Sequence, residues 1–177
     1  MVAPKVHLTT STHCIAFWHN VIITDVRGDL DVAAIRIFTA AMKELLGMHP
    51  AGVVGITLVQ STVPVGSAET RAESARLTRD IAEHVLHTAV VIEGRGVLAQ
   101  LIRTIARGVS VVARNDRTTF PKDLDEALTT IAPLVATSGP RGSVEDELRE
   151  AVTSVRRQFA ASAPPRAVSG PYRLPPL

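Results

Sequence analysis

The chain has 177 residues, 46% of them hydrophobic, which is enough for one full-size core with extra segments. Aromatic residues make up only 3%, too few for the stacking platforms that hold single-stranded nucleic acid. The 19 basic residues barely exceed the 17 acidic ones and alternate with them, so nucleic acid is not an expected partner. Cys14 is the single cysteine, which excludes an intrachain disulfide and fits a reducing compartment. The N-terminus lacks the basic start and apolar run of a signal peptide, and no apolar stretch reaches the roughly 20 residues that cross a bilayer. A cytoplasmic protein without a membrane span is expected.

Residues 1–12 are polar, rich in Thr and Ser, and expected to be loose. CIAFW (14–18) and VIITDVR (21–27) are β-branched and aromatic. His19-Asn20 between them fits a two-residue hairpin turn in which Asn20 accepts positive φ. Gly28 ends the second strand, and Asp29 is the expected cap of a helix. The inward face of that helix reads as Leu30, Ala34, Ile37, Phe38, Ala41 and Leu45, widened by Met42 and Leu46, with Gly47 and Pro50 as the stop. VVGITLV (53–59) is a continuous apolar run of strand length, as suits a strand covered on both faces. The loop QSTVPVG follows, then a helix from about Ser67 to Leu86, with Ala68, Ala72, Ala75 and Ala82 set against the sheet. TAVVIE (88–93) is the next strand, 96–107 a helix with Val97, Leu98, Leu101, Ile102 and Ile105 inward, VSVVAR (109–114) a strand, and about Lys122 to Val135 a helix.

This β-β-α-β-α-β-α-β-α order implies an α/β fold: a single mixed, mainly parallel sheet flanked by helices and opened by an N-terminal β-hairpin. The domain is expected over 13–136, followed by a linker at 137–142. An appended amphipathic helix is expected at 143–161, with Ser143 as N-cap and the stripe Val144, Leu148, Val152, Val155 and Phe159 packing on the domain or on a partner. Residues 162–177 are rich in Pro and expected to be disordered. Their RLPPL end could form a polyproline helix for an aromatic groove, against the simpler floppy terminus.

Two stretches carry the functional readings. Gly94, Gly96 and Ala99 stand at G-x-G-x-x-A between a strand and a helix, with Asp116 near the place of the acidic residue that binds a ribose. Those four residues would form a nucleotide- or dinucleotide-binding site, with the phosphates at the helix N-terminus. Glu93 and Arg95 around the first glycine weaken that match, and a plain packing turn is the simpler reading. The second stretch is QSTVPVGSAETR (60–71). Ser61 and Thr62 directly follow a central strand, at the sheet end where α/β ligand sites collect. Phosphorylation there would add about −1.5 to −2 charge at a helix start. The alternative is a shaped turn with Ser67 as N-cap.

Other candidates have simpler explanations. Arg71, Arg95, Arg103, Arg107, Arg114 and Arg117 could form a phosphate-binding ridge, but Glu69, Glu73, Glu93 and Asp116 lie among them, so a mixed solvated surface is expected. His84 and His87 stand three apart near a helix end, without the third ligand and glutamate of a zinc site. Asp25, Asp29 and Asp31 could hold magnesium, against Asp29 as a cap. Cys14 has only His13 beside it, and alternation points that side chain to the other face of the strand. No metal, cofactor or catalytic set is therefore expected.

The hairpin, the α-β-α-β-α-β-α run closed by FPKDLDEAL, the Ser-Thr loop and the segment GRGVLAQLIRTIARGVSVVAR together resemble the STAS superfamily of anti-sigma-factor antagonists and its SpoIIAA-like relatives, over about residues 13–135. The resemblance implies a non-enzymatic regulatory domain of bacterial signalling that binds a protein partner through the loop and helix after its central strand. It implies a serine switch there, and Ser61 and Thr62 are the matching positions, with Ser67 and Arg71 beside them. The family's D-S-S/T-G run is absent, and QSTVPVGS is longer and carries a proline. The wider relatives include lipid-binding folds, which leaves room for an apolar small ligand, and a homodimer is compatible with the class.

Overall fold

The computed structural model describes residues 2–64, 66–94, 117–137 and 141–162. Strands β1 (Lys5–Thr9), β2 (His13–Trp18), β3 (Val21–Val26), β4 (Val53–Gln60), β5 (Val85–Glu93) and β6 (Thr118–Thr119) form one sheet in sequential order. The β1–β2 and β2–β3 pairs are antiparallel and the pairs from β3 to β6 are parallel. Helices α1 (Val32–Met48) and α2 (Ala68–Ile81) cover one face. Helix α3 (Leu124–Ile131), its 3-10 extension Ala132–Leu134 and helix α4 (Arg141–Ser162) cover the other. The fold is α/β, with a mixed, mostly parallel sheet between two helical layers and a hairpin near its start. No helix among the described residues is long and apolar enough to cross a membrane. The expected helix at 96–107, the strand at 109–114 and the Pro-rich tail from 163 onward lie outside the described residues.

Strands β2 and β3 are buried throughout because, with a period of two, each strand packs alternate side chains into the cores on both faces. On β2, Ile15 and Phe17 join the core beneath α1, while Cys14, Ala16 and Trp18 join the core beneath α3 and α4. On β3, Ile22 faces α1, and Val21 and Ile23 face the opposite layer. On β4 the even-numbered Val54, Ile56 and Leu58 join the core beneath α3 and α4.

Several local expectations need correction. Lys5–Thr9, expected to be loose, is the edge strand β1. A register shift between Val6 and Leu8 sends Val6 to the α4-side core and Leu8 to the α1-side core, which breaks the alternation that marks a strand in sequence. In the hairpin turn the positive φ belongs to His19 (51°), not Asn20. Asn20 instead ties loops together: Nδ2 donates to the carbonyls of Gly52 and Leu134, each at 3.2 Å, and Oδ1 accepts from the Ala136 N–H at 2.8 Å.

Helix α1 is capped by Asp31, whose Oδ1 accepts from the Ala34 N–H at 2.7 Å, and not by Asp29. Its inward face is Ala34, Ile35, Ala41, Met42 and Leu45, and Ile37 turns out to 38% exposure. Helix α2 is capped by Ser67 as expected. It ends at Ile81 rather than Leu86, because β5 already begins at Val85. Its inward positions are Thr70, Leu77 and Ile81, while Ala68, Ala72 and Ala82 are exposed.

The last helix is not an appendage. It starts at Arg141, so Ser143 lies inside its first turn and is not the cap. Val144, Leu148, Val152, Val155 and Phe159 are all buried, with Ala151, in one cluster with Trp18, Ile23, Leu58, Val91 and Leu128. The expected stripe is right, and its destination is the core of the domain itself.

Candidate functional site

The loops at the carboxyl ends of the parallel strands converge, as in other α/β sheets. The Arg27 N–H bonds the Thr12 carbonyl at 2.8 Å, which joins the β3 end to the β1–β2 turn. A Cβ on Gly66 would lie 3.6 Å from the Leu30 carbonyl, which brings the loop after β4 beside the loop after β3. Gly94, at the end of β5, has φ +110°, and a Cβ there would sit 2.5 Å from Ser61 Oγ. Both facts demand glycine at this position.

Ser61 is half-buried against Gly94 and so braces the turn, whereas Thr62 and Ser67 are exposed. Ser67 Oγ accepts from the Thr70 N–H at 3.1 Å and lies 3.1 Å from Thr70 Oγ1, so its hydroxyl is engaged as a cap. Exposed Arg71 folds back to donate to the Gly66 carbonyl and holds the loop against the helix start. Thr62, Ser67 and Arg71 are thus exposed along the loop and helix start after β4, and Ser61 is half-buried. Of the nucleotide candidates, Gly94 has its glycine requirement met by protein packing, and Gly96, Ala99 and Asp116 lie outside the described residues. Arg95, Arg103, Arg107 and Arg114 do too. Arg117 is committed to the carbonyls of Ala82 and Val85 at 2.8 and 2.9 Å.

On the α4 side of this sheet end sits a charge cluster. Asp25, 1% exposed, takes two hydrogen bonds from Arg27, at 2.8 Å from Nη2 and 3.3 Å from Nε. Arg156 of α4 grips Glu93 with contacts of 2.8 and 2.9 Å, and its Nε lies 3.9 Å from Asp25. The Arg27 guanidinium also covers the Phe159 ring at 4.2 Å. The hydrogen bond to Asp25 raises the Arg27 pKa further. Asp25 is therefore an anchor between β3 and α4. Among the described residues no group of three His, Cys, Asp or Glu is arranged to hold a metal. The Asp25-Arg27 spacing, two apart on one strand face, was a readable signal, but Arg156 and Glu93 meet them only through the fold.

On the α1 side lies an apolar cavity of about 130 Å³, walled by Ile15, Val26, Leu30, Ala34, Ile35 and Phe38, with His13, Thr24 and Thr57 also lining it. His13 and Thr24 come from adjacent strands, where the register pairs His13 with Val26 and Ile15 with Thr24. Burial pushes the His13 pKa below its ordinary value, only partly opposed by Asp31. His13 and Cys14 face opposite sides of the sheet, and burial pushes the Cys14 thiol up, so they form no nucleophile pair. Both His13 and Thr24 were readable as polar residues at inward positions of apolar strands.

His84 lies in the turn before β5 and His87 within β5, so they share no helix. His87 Nε2 is 2.9 Å from Thr119 Oγ1, and burial lowers its pKa. No protein-family model and no curated protein matches the chain.

Proposed function

We propose that the chain is a STAS-like, non-enzymatic regulatory domain that meets a protein partner through the loop and helix after β4. The observation that carries this reading is the lopsided docking of α2. Among its described side chains only Thr70, Leu77 and Ile81 are buried. Its exposed positions are Ala68, Glu69, Arg71, Ala72, Arg76, Arg79 and Asp80, mostly charged, and they follow the exposed Thr62 and Ser67 along the chain. Much of its charge is paired within the helix: Arg76 binds Glu73 at 2.8 Å and Asp80 at 3.4 Å. A helix held by so few apolar contacts belongs to the easily displaced part of a domain, as suits a surface that adjusts to a partner. Ser61, braced on Gly94, gives the loop a fixed root, and Thr62 is the hydroxyl that a modifying enzyme could reach.

The test compares complexes recovered from the native host with tagged wild type and with a Thr62→Glu/Arg71→Glu variant of equal melting temperature. Loss of one stoichiometric partner from the variant supports the reading. Unchanged complexes, together with a thermal shift of the wild type by ATP, GTP, NAD(H) or NADP(H), would move the function to the glycine turn. A ligand at about 100 times its Kd adds roughly 2.7 kcal/mol, a visible shift.

A further inference from the structure

Two residues that line the cavity beneath α1 each carry a polar atom that the fold leaves without a partner. His13 Nε2 and Thr24 Oγ1 are buried side-chain atoms with no hydrogen bond, in residues only 6% and 5% exposed. Both residues line the same cavity. Buried polar groups are nearly always paired, so two orphans on residues that line one small chamber call for an occupant.

The ring of His13 is held from its other end. Nδ1 lies 3.0 Å from Thr12 Oγ1 and 3.2 Å from Thr10 Oγ1. The Thr10 hydroxyl donates to the His13 carbonyl at 3.1 Å and accepts from the N–H groups of Thr12 and His13. The β1–β2 turn therefore fixes the imidazole by its Nδ1 edge and leaves Nε2 without a partner. Burial keeps the ring neutral at pH 7. A neutral ring shows either an N–H or a lone pair at Nε2, according to its tautomer. Thr24 can donate or accept. A hydroxyl on an occupant both donates and accepts, so it suits either tautomer and the Thr24 hydroxyl alike.

The other walls select size and charge. Among the described residues no Lys, Arg, Asp or Glu lines the cavity, so these walls offer an anion no compensation for desolvation. The volume of about 130 Å³ is close to that of apolar cavities of about 150 Å³ that take up benzene. Leu30 and Phe38 are half-buried at the rim, where a molecule could enter beside the start of α1.

We propose that this cavity binds a small neutral molecule with an apolar, ring-sized body and one hydroxyl, held between His13 and Thr24. This site is independent of the partner face.

The experiment titrates the full chain with phenol and with toluene, which match in shape and differ in the hydroxyl. Binding is followed by calorimetry and by the ¹⁵N shift of His13 Nε2. The proposal expects phenol to bind at least tenfold more tightly than toluene and to move the Nε2 resonance. Thr24→Val should lower phenol affinity about tenfold and leave toluene unchanged, and Ala34→Leu, which fills the chamber, should abolish both. Toluene binding as tightly as phenol would mean an apolar void only and would overturn the proposal. Failure of both probes to bind the folded wild type, with His13 Nε2 unmoved, would mean a water-filled pocket and would overturn it as well. The wild-type resonance decides the matter even where a variant fails to fold.

Discussion

Replacing Leu148 by Ala probes whether α4 is part of the domain. Leu148 has no exposed surface and sits between Val144 and Val152 in the core shared with Trp18, Ile23 and Leu128. Leu→Ala at such sites costs about 2–5 kcal/mol, with the larger values where neighbours do not collapse into the space. Flanking valines pinned on the same helix limit collapse, so we expect about 3 kcal/mol. For a chain of this size each kcal/mol shifts Tm by about 2–4 °C, which gives a fall of about 6–12 °C. Urea melts followed by Trp18 fluorescence measure it, since Trp18 belongs to the same cluster and is fully buried. Asp146→Ala, at an exposed position of the same helix, is the control and should stay within about 0.5 kcal/mol of wild type. If Leu148→Ala behaves like that control, α4 is an appendage and the described core is wrong.

Two further perturbations follow from the buried polar groups. Asp25→Asn removes the charge that holds Arg27, at 1% exposure of the acid, and should cost about 2–3 kcal/mol. That is below the range for a fully buried pair because Arg27 is partly exposed, and a loss under about 0.5 kcal/mol in urea would show that the cluster is idle. His13 and His87 both have pKa values lowered by burial, so the folded chain takes up protons later than the unfolded one. Their contribution is complete above the unfolded value of about 6.5 and is lost as pH falls from there toward the depressed folded values, by at most about 1.4 kcal/mol per pH unit for each histidine. The urea midpoint should therefore drop between pH 6.5 and 5.5, and His87→Gln should flatten the slope. A midpoint that is level or rises over that interval would contradict the burial of both rings.

The fold was legible where the pattern is local and strong. VVGITLV had to be covered on both faces, and the α4 stripe had to be buried somewhere. Whether it met its own domain or another chain depends on where Trp18 and Leu128 end up, which no periodicity within 143–161 reports. The Asp29-Leu30-Asp31 sequence offers two caps, and choosing the first exchanges Ile35 for Ile37 on the buried face. Alanine is at home on either side of a helix, which is why the buried face of α2 was misplaced. At the candidate site, the Ser67 cap and the loop position of Thr62 could be read directly. Ser61 could not, because its partner is Gly94 on the neighbouring strand. The orphaned atoms of His13 and Thr24 emerge only from the β2–β3 register and the loop geometry together.

The partner face is tested most directly by site-specific photo-crosslinking in the native host, with the probe at position 62, at position 72 on the exposed side of α2, or at position 48, an exposed site at the far end of α1. Capture of the same protein from positions 62 and 72 and not from 48 is the expected result. Crosslinks that are absent at 62 and 72, or equal at all three positions, would contradict a partner surface on the loop and helix after β4.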